Sequence, residues 1–135
     1  GIIMAWAAAK NSVSYEIIVL YISAIFWTLG YDTIYGVQDM KDDEIIGVKS
    51  TSIKFKKNIK LFVGSSYLLT CLILIYLFKN MIGLNIFSFL FISFCLTLAY
   101  QIFKFNKDKA KDCLHAFKFN NISGLILFLS ICSIN

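Results

Sequence analysis

Residues 61–78, LFVGSSYLLTCLILIYLF, and residues 80–103, NMIGLNIFSFLFISFCLTLAYQIF, carry no charge from end to end and are separated by Lys79 alone. A helix that crosses the hydrocarbon core of a bilayer needs about 17–25 mainly apolar residues. Both runs meet that length. Two more reach it once flanking turns are added: Ile17 to Tyr31, bounded by Glu16 and Asp32, and Phe119 to Asn135, extended by Cys113 to Phe117. Proline is absent, so nothing in the sequence breaks long helices. The expected fold is all-α, a multi-pass transmembrane helix bundle with about four spanning helices. The opening GIIMAWAAA is apolar but too short to span. It is expected to be the remnant of a helix that starts before Gly1, which makes residues 1–135 the C-terminal part of a longer membrane protein.

Composition agrees. The 135 residues are 59 % hydrophobic and 16 % charged, with a mean hydropathy of +0.73. Soluble domains carry about 25 % charged and about 45–50 % apolar residues. Disordered, collagen-like and proline-rich classes are excluded. The net charge is +5, and all 13 basic residues are lysine. A nucleic-acid partner is not expected, because base readout leans on arginine. The lysines gather in two connections, Gly36 to Lys60 and Lys104 to Lys118, whereas the other connections hold only Lys10 and Lys79. Four helices in series place both lysine-rich connections on one side, and the positive-inside rule makes that side cytoplasmic. Cys71, Cys95, Cys113 and Cys132 lack the spacing of a zinc or redox motif and are expected to be small buried apolar residues. His115 is the sole histidine, which leaves a histidine metal cage or a Ser-His-Asp triad little to work with.

The chemistry is concentrated in residues 27–52, WTLGYDTIYGVQDMKDDEIIGVKSTS. If the helix runs on through this segment at about 100° per residue, Asp39 lies about 20° to one side of Asp32 and Asp43 about 20° to the other. Asp42 points away. Carboxylates crowded on one face repel each other unless something neutralises them. Mg²⁺ does so with one or two carboxylates, waters and substrate phosphates. The stripe therefore reads either as a Mg²⁺–phosphate site at the bilayer surface or as a solvated juxtamembrane helix. Trp27, Tyr31 and Tyr35 recur every four residues and suit either a cation-stabilising face or an interfacial aromatic belt. Gly47 to Thr51 resembles a phosphate-binding turn in composition without being a P-loop, and Lys49 supplies a point charge for a diphosphate.

Residues 31–51, YDTIYGVQDMKDDEIIGVKST, closely resemble the second aspartate-rich motif of the UbiA superfamily of intramembrane prenyltransferases, nearest to its 4-hydroxybenzoate polyprenyltransferase branch. Asp32, Tyr35, Asp39, Asp42, Asp43, Gly47, Lys49 and Ser50 fit the pattern. CLHAFKFNNISGLILF resembles the family's last helix, with Cys113, Phe117, Asn120, Asn121 and Gly124 in place. The resemblance implies the C-terminal half of a nine-helix UbiA-type fold, with the second motif at 32–43. The first, of the N-D-x-x-D-x-x-x-D type, has no counterpart in this sequence.

The activity implied is transfer of a polyprenyl group from its diphosphate to an aromatic acceptor, 4-hydroxybenzoate in ubiquinone biosynthesis, with Mg²⁺ as cofactor. Asp39 and Asp43 are the expected metal–diphosphate ligands. Asp32 completes the metal shell, or orients or deprotonates the acceptor. Lys49 and Ser50 are expected on the diphosphate, and Tyr31 and Tyr35 around the prenyl cation. Asn120 and Asn121 tie the last helix to its neighbours. The implied partners are membrane lipid, polyprenyl diphosphate, an aromatic acid and the absent N-terminal half, without which the chain is expected to be inactive. The implied location is the bacterial inner membrane, with the mitochondrial inner membrane as the alternative. The rivals are a noncatalytic membrane protein, such as a transporter, and an inactive prenyltransferase remnant.

Overall fold

The computed structural model describes residues 2–106 and 109–134. Gly1, Lys107, Asp108 and Asn135 lie outside it, and so do the expectations that fall on them, namely the helix at Gly1 and the placement of Lys107. The described residues form seven α-helices: α1 (Ile2–Lys10), α2 (Tyr15–Gly36), α3 (Met40–Ile46), α4 (Thr51–Lys54), α5 (Ile59–Leu77), α6 (Ile86–Lys104) and α7 (Ala110–Cys132). Four of them, α2, α5, α6 and most of α7, are long and apolar enough to cross a membrane. The expected all-α bundle with four spans is what forms.

Local signals set the boundaries. Asn11 ends α1 at φ 55°, a left-handed conformation that asparagine tolerates, with its N–H on Ala7 O at 2.8 Å. The run from Asn80 was expected to be helical throughout. Instead a 3₁₀ turn at Lys79–Met81 and an irregular link precede α6, whose N-cap Asn85 accepts from Ser88 N at 2.9 Å. An uncharged run does not reveal a cap inside it, because asparagine is as uncharged as the apolar residues around it.

The spans pack in a closed ring in which α5 lies on α2, α2 on α7, α7 on α6 and α6 on α5. Small polar groups tie neighbours together. Ser23 Oγ donates to Thr70 O at 3.5 Å, and Ser130 Oγ donates to Phe87 O at 3.1 Å. At the centre, Tyr67 Oη on α5 donates to Gln101 Oε1 on α6 at 2.8 Å, and Gln101 Nε2 donates to Ser123 Oγ on α7 at 2.9 Å. All three residues are buried. Gly30 on α2 makes room for the Tyr67 ring, since a Cβ there would overlap it.

One third or less of each span is buried inside the bundle. Residues such as Ile22, Ile25, Leu68, Phe89 and Phe128 face outward, as lipid-facing side chains do. Of the cysteines, Cys113 is buried, Cys71 and Cys95 are half-buried, and Cys132 is exposed. Expected burial of all four is therefore corrected. Lipid is as apolar as a core, so an apolar run does not specify which face turns inward.

Residues 37–58 and the described residues of the α6–α7 link emerge at one end of the bundle, where Lys60 Nζ sits 5.4 Å from the Phe105 ring centroid, and the α5–α6 link emerges at the other. Cysteines introduced at Lys49 and Lys109 should therefore be labelled by an impermeant maleimide from the same side, and a cysteine at Lys79 from the opposite side. Labelling of Lys49→Cys and Lys109→Cys from opposite sides would overturn the four-span topology.

Candidate functional site

The acidic segment does not continue α2. The carbonyl of Thr33, which a continuing helix would pair with the N–H of residue 37, accepts from Ser52 Oγ at 3.0 Å. The N–H groups of Val37 and Gln38 turn instead to Ile34 O and Tyr35 O, at 3.3 and 3.0 Å. These three-residue steps tighten and end the helix. Gly36 permits the approach, because a Cβ there would lie 2.5 Å from Ser52 Oγ. Thr33 Oγ1 donates to Leu29 O at 2.6 Å and accepts from Thr51 Oγ1 at 2.9 Å. Thr33, Thr51 and Ser52 thus fold the whole segment back onto the end of α2.

The three-carboxylate stripe is accordingly corrected. Asp32 belongs to the last turn of α2, whereas Asp39 caps α3 and Asp43 lies within it. Among the described residues, no set of three histidine, cysteine or acidic side chains is arranged to hold a metal. What survives is the pair: Asp43 N donates to Asp39 O at 2.8 Å, so the two carboxylates rise from one face of a single helical turn. Asp39 is exposed and Asp43 is partly exposed. Two carboxylates fit Mg²⁺, which ordinarily takes one or two together with water and phosphate oxygens.

The helix α3 stops at Gly47, whose φ of 76° favours glycine, and Val48 N returns to Asp43 O at 2.9 Å. Lys49 follows and is exposed. Ser50 Oγ accepts from Ile53 N at 3.3 Å as the cap of α4, and its own hydrogen stays available. Nearby, Glu44 and Lys56 form an ion pair at 2.7 Å.

An aromatic seam runs up from this end between α2 and α7. Tyr35 and Tyr31 both lie against Phe117, with centroids 4.7 and 6.0 Å apart. Trp27 meets Tyr31 and Phe94 edge-on at 6.3 and 5.4 Å, and its Nε1 donates to Asn120 Oδ1 at 2.9 Å. Asn120 therefore ties the last helix to α2 as expected, while Asn121 is exposed. Gly124 lets the Trp27 ring approach, since a Cβ there would meet it at 3.3 Å. His115 is exposed and stacks on Phe119 at 6.4 Å. The structure thus joins Tyr31 to Tyr35 and Asp39 to Asp43, and separates Asp32 from that pair by a turn. Sequence reasoning gave no role to Thr33, Ser52 or Phe117. The only signal was that all three lie inside the motif-bearing segments.

Four spanning helices, with an acidic segment folded back at one end at the foot of an aromatic seam, define an integral membrane protein. Residues 1–123 match the model of the UbiA prenyltransferase family, and the chain belongs to that family. It is 36 % identical over 134 residues to the mitochondrial 4-hydroxybenzoate polyprenyltransferase of Aedes aegypti, covering 97 % of this chain and 30 % of the relative. The Bos taurus protein of the same name is 35 % identical over 139 residues, covering 97 % and 36 %. A 4-hydroxybenzoate octaprenyltransferase of Francisella tularensis subsp. mediasiatica is 34 % identical over 130 residues, covering 96 % and 45 %. The chain thus spans between 30 % and 45 % of the length of these curated relatives. No solved structure matches it.

Proposed function

We propose that this chain contributes the diphosphate-binding part of a prenyltransferase that moves a polyprenyl group from its diphosphate to 4-hydroxybenzoate, a step in ubiquinone biosynthesis. The observation that carries this reading is the Asp39–Asp43 pair on one helical face, at the membrane end of an aromatic seam, in a chain of this family. When bound, Mg²⁺ neutralises diphosphate charge and eases its departure. Asp39 and Asp43 would hold the metal. Lys49 donates to diphosphate oxygens, and Ser50 adds the hydrogen its cap leaves unused. In the reaction the prenyl C1–oxygen bond breaks and a ring carbon ortho to the phenol bonds to C1. The ring proton is then lost. Tyr31, Tyr35 and Phe117 present ring faces to the positive charge that develops on the allyl group. Asp32, set apart from the pair by the break in α2, is assigned to the acceptor, where it holds the phenolic hydroxyl.

By itself the chain is expected to show no turnover. A diphosphate carries more charge than one metal ion held by two carboxylates neutralises, and the family resemblance assigns a first aspartate-rich motif, of the N-D-x-x-D-x-x-x-D type, that has no counterpart in this sequence. The rival reading is a noncatalytic membrane protein. A chimera separates the two. Residues 2–134 replace the matching part of the Francisella tularensis relative, and membranes are assayed with a prenyl diphosphate and labelled 4-hydroxybenzoate. EDTA-sensitive prenylated product is expected. A chimera that accumulates and melts like the parent, yet makes no product, would establish the noncatalytic reading.

A further inference from the structure

Away from the acidic segment, charge is concentrated in residues 53–60, IKFKKNIK, which join α4 to α5. Phe55 stacks on Phe62 in the first turn of α5, with centroids 4.0 Å apart and planes 10° from parallel. The N–H of Asn58 closes on Phe55 O at 2.8 Å. This fold-back leaves an open groove of about 440 Å³ lined by Ile53, Lys54, Phe55, Lys56, Lys57 and Asn58. Lys54, Lys56 and Lys57 are exposed on its rim, and Lys60 is exposed two residues beyond it. Lys54 Nζ sits 5.6 Å from the Phe55 centroid, and Lys60 Nζ sits 5.4 Å from that of Phe105. Lys60 therefore carries the patch across to the end of α6, where Lys104 adjoins Phe105.

Among the described residues, the ion pair on this segment is Lys56 with Glu44. Lys54, Lys57 and Lys60 have no carboxylate partner among them. Three ammonium groups on one short segment, two of them on the rim of the groove, attract an anion, and the setting says which. Leu61 and Phe103, at the adjoining ends of α5 and α6, are 72 % and 83 % exposed. An anion bound here has apolar surface beside it, running into the membrane.

We propose that Lys54, Lys57 and Lys60, with the half-buried ring of Phe55 beside them, form a docking site for the phosphate of an anionic phospholipid whose acyl chains lie along Leu61 and Phe103. The site needs neither the metal nor the prenyl diphosphate. Each lysine near an anionic membrane surface contributes about fivefold in affinity.

The full chain in micelles holding equal phosphatidylglycerol and phosphatidylcholine should retain the anionic lipid in excess, read by native mass spectrometry. Lys54→Gln, Lys57→Gln and Lys60→Gln together should lower that excess at least about tenfold. The corresponding triple arginine variant should keep it. Raising salt from about 50 mM to about 500 mM should lower it in the unmodified chain, since exposed charges are screened. That arm decides the matter even if the glutamine variant fails to fold. An excess unchanged by salt overturns the proposal, and so does a folded glutamine variant with the original excess. Inorganic phosphate at the lipid's concentration should displace nothing. Displacement would overturn the phospholipid assignment in favour of a soluble-phosphate site.

Discussion

Asp39→Asn and Asp43→Asn, each made in the chimera, should lower kcat for prenyl transfer by about 10²–10³-fold, the usual loss when one group that stabilises developing charge is removed. Both carboxylates rise from one face of the turn that opens α3. Their contribution grows as negative charge gathers on the departing diphosphate, so kcat should fall more than KM for 4-hydroxybenzoate rises. Asp42, a step of about 100° from Asp43 around the same helix, should tolerate asparagine with less than about a tenfold loss. Asp32→Asn should act on the acceptor, with a larger effect on KM for 4-hydroxybenzoate than on magnesium dependence. If Asp42→Asn were as damaging as Asp43→Asn, the face assignment on α3 would be wrong. If Asp39→Asn and Asp43→Asn were both harmless, the site would lie elsewhere.

Gly30→Ala should destabilise the bundle by about 3 kcal/mol, although alanine in a helix interior is ordinarily worth about 1 kcal/mol over glycine. The added methyl would occupy space that the Tyr67 ring fills. That ring is 1 % exposed and held at its far end, because its hydroxyl donates to Gln101, which in turn donates to Ser123. Moving the ring breaks a relay that joins α5, α6 and α7. An SDS or thermal unfolding series on the purified chain checks this, with Tyr67→Leu as the relieving partner. The double variant should be less destabilised than the sum of the two singles. Simple additivity, or a Gly30→Ala chain as stable as the original, would show that the ring can step aside.

Spans were legible in the sequence because charge marks where a chain leaves lipid. Glu16, Asp32, Lys79 and Lys104 stand near the ends of the observed helices, and no partner is needed to read them. The break after Gly36 was not legible. A periodicity argument carries α2 straight through to Asp43, because it takes no account of a hydroxyl 19 residues beyond Thr33. It is Ser52 that captures the Thr33 carbonyl and ends the helix. The four-residue spacing of Asp39 and Asp43 still counts, because Asp39 caps the next helix and Asp43 lies within it. The single-helix stripe that included Asp32 does not form. The Tyr67–Gln101–Ser123 relay went unread for a similar reason. Each member is an ordinary uncharged residue in its own helix, and only packing makes the three one structure.

The central claim is that Asp39 and Asp43 hold prenyl diphosphate through magnesium. Equilibrium binding of a non-reacting prenyl thiolodiphosphate to the chimera, titrated with Mg²⁺, tests it most directly. The predicted result is retention that requires Mg²⁺ and is lost in the Asp39→Asn/Asp43→Asn double variant, while the variant still melts like its parent. Equal retention without Mg²⁺, or by the folded double variant, would contradict it.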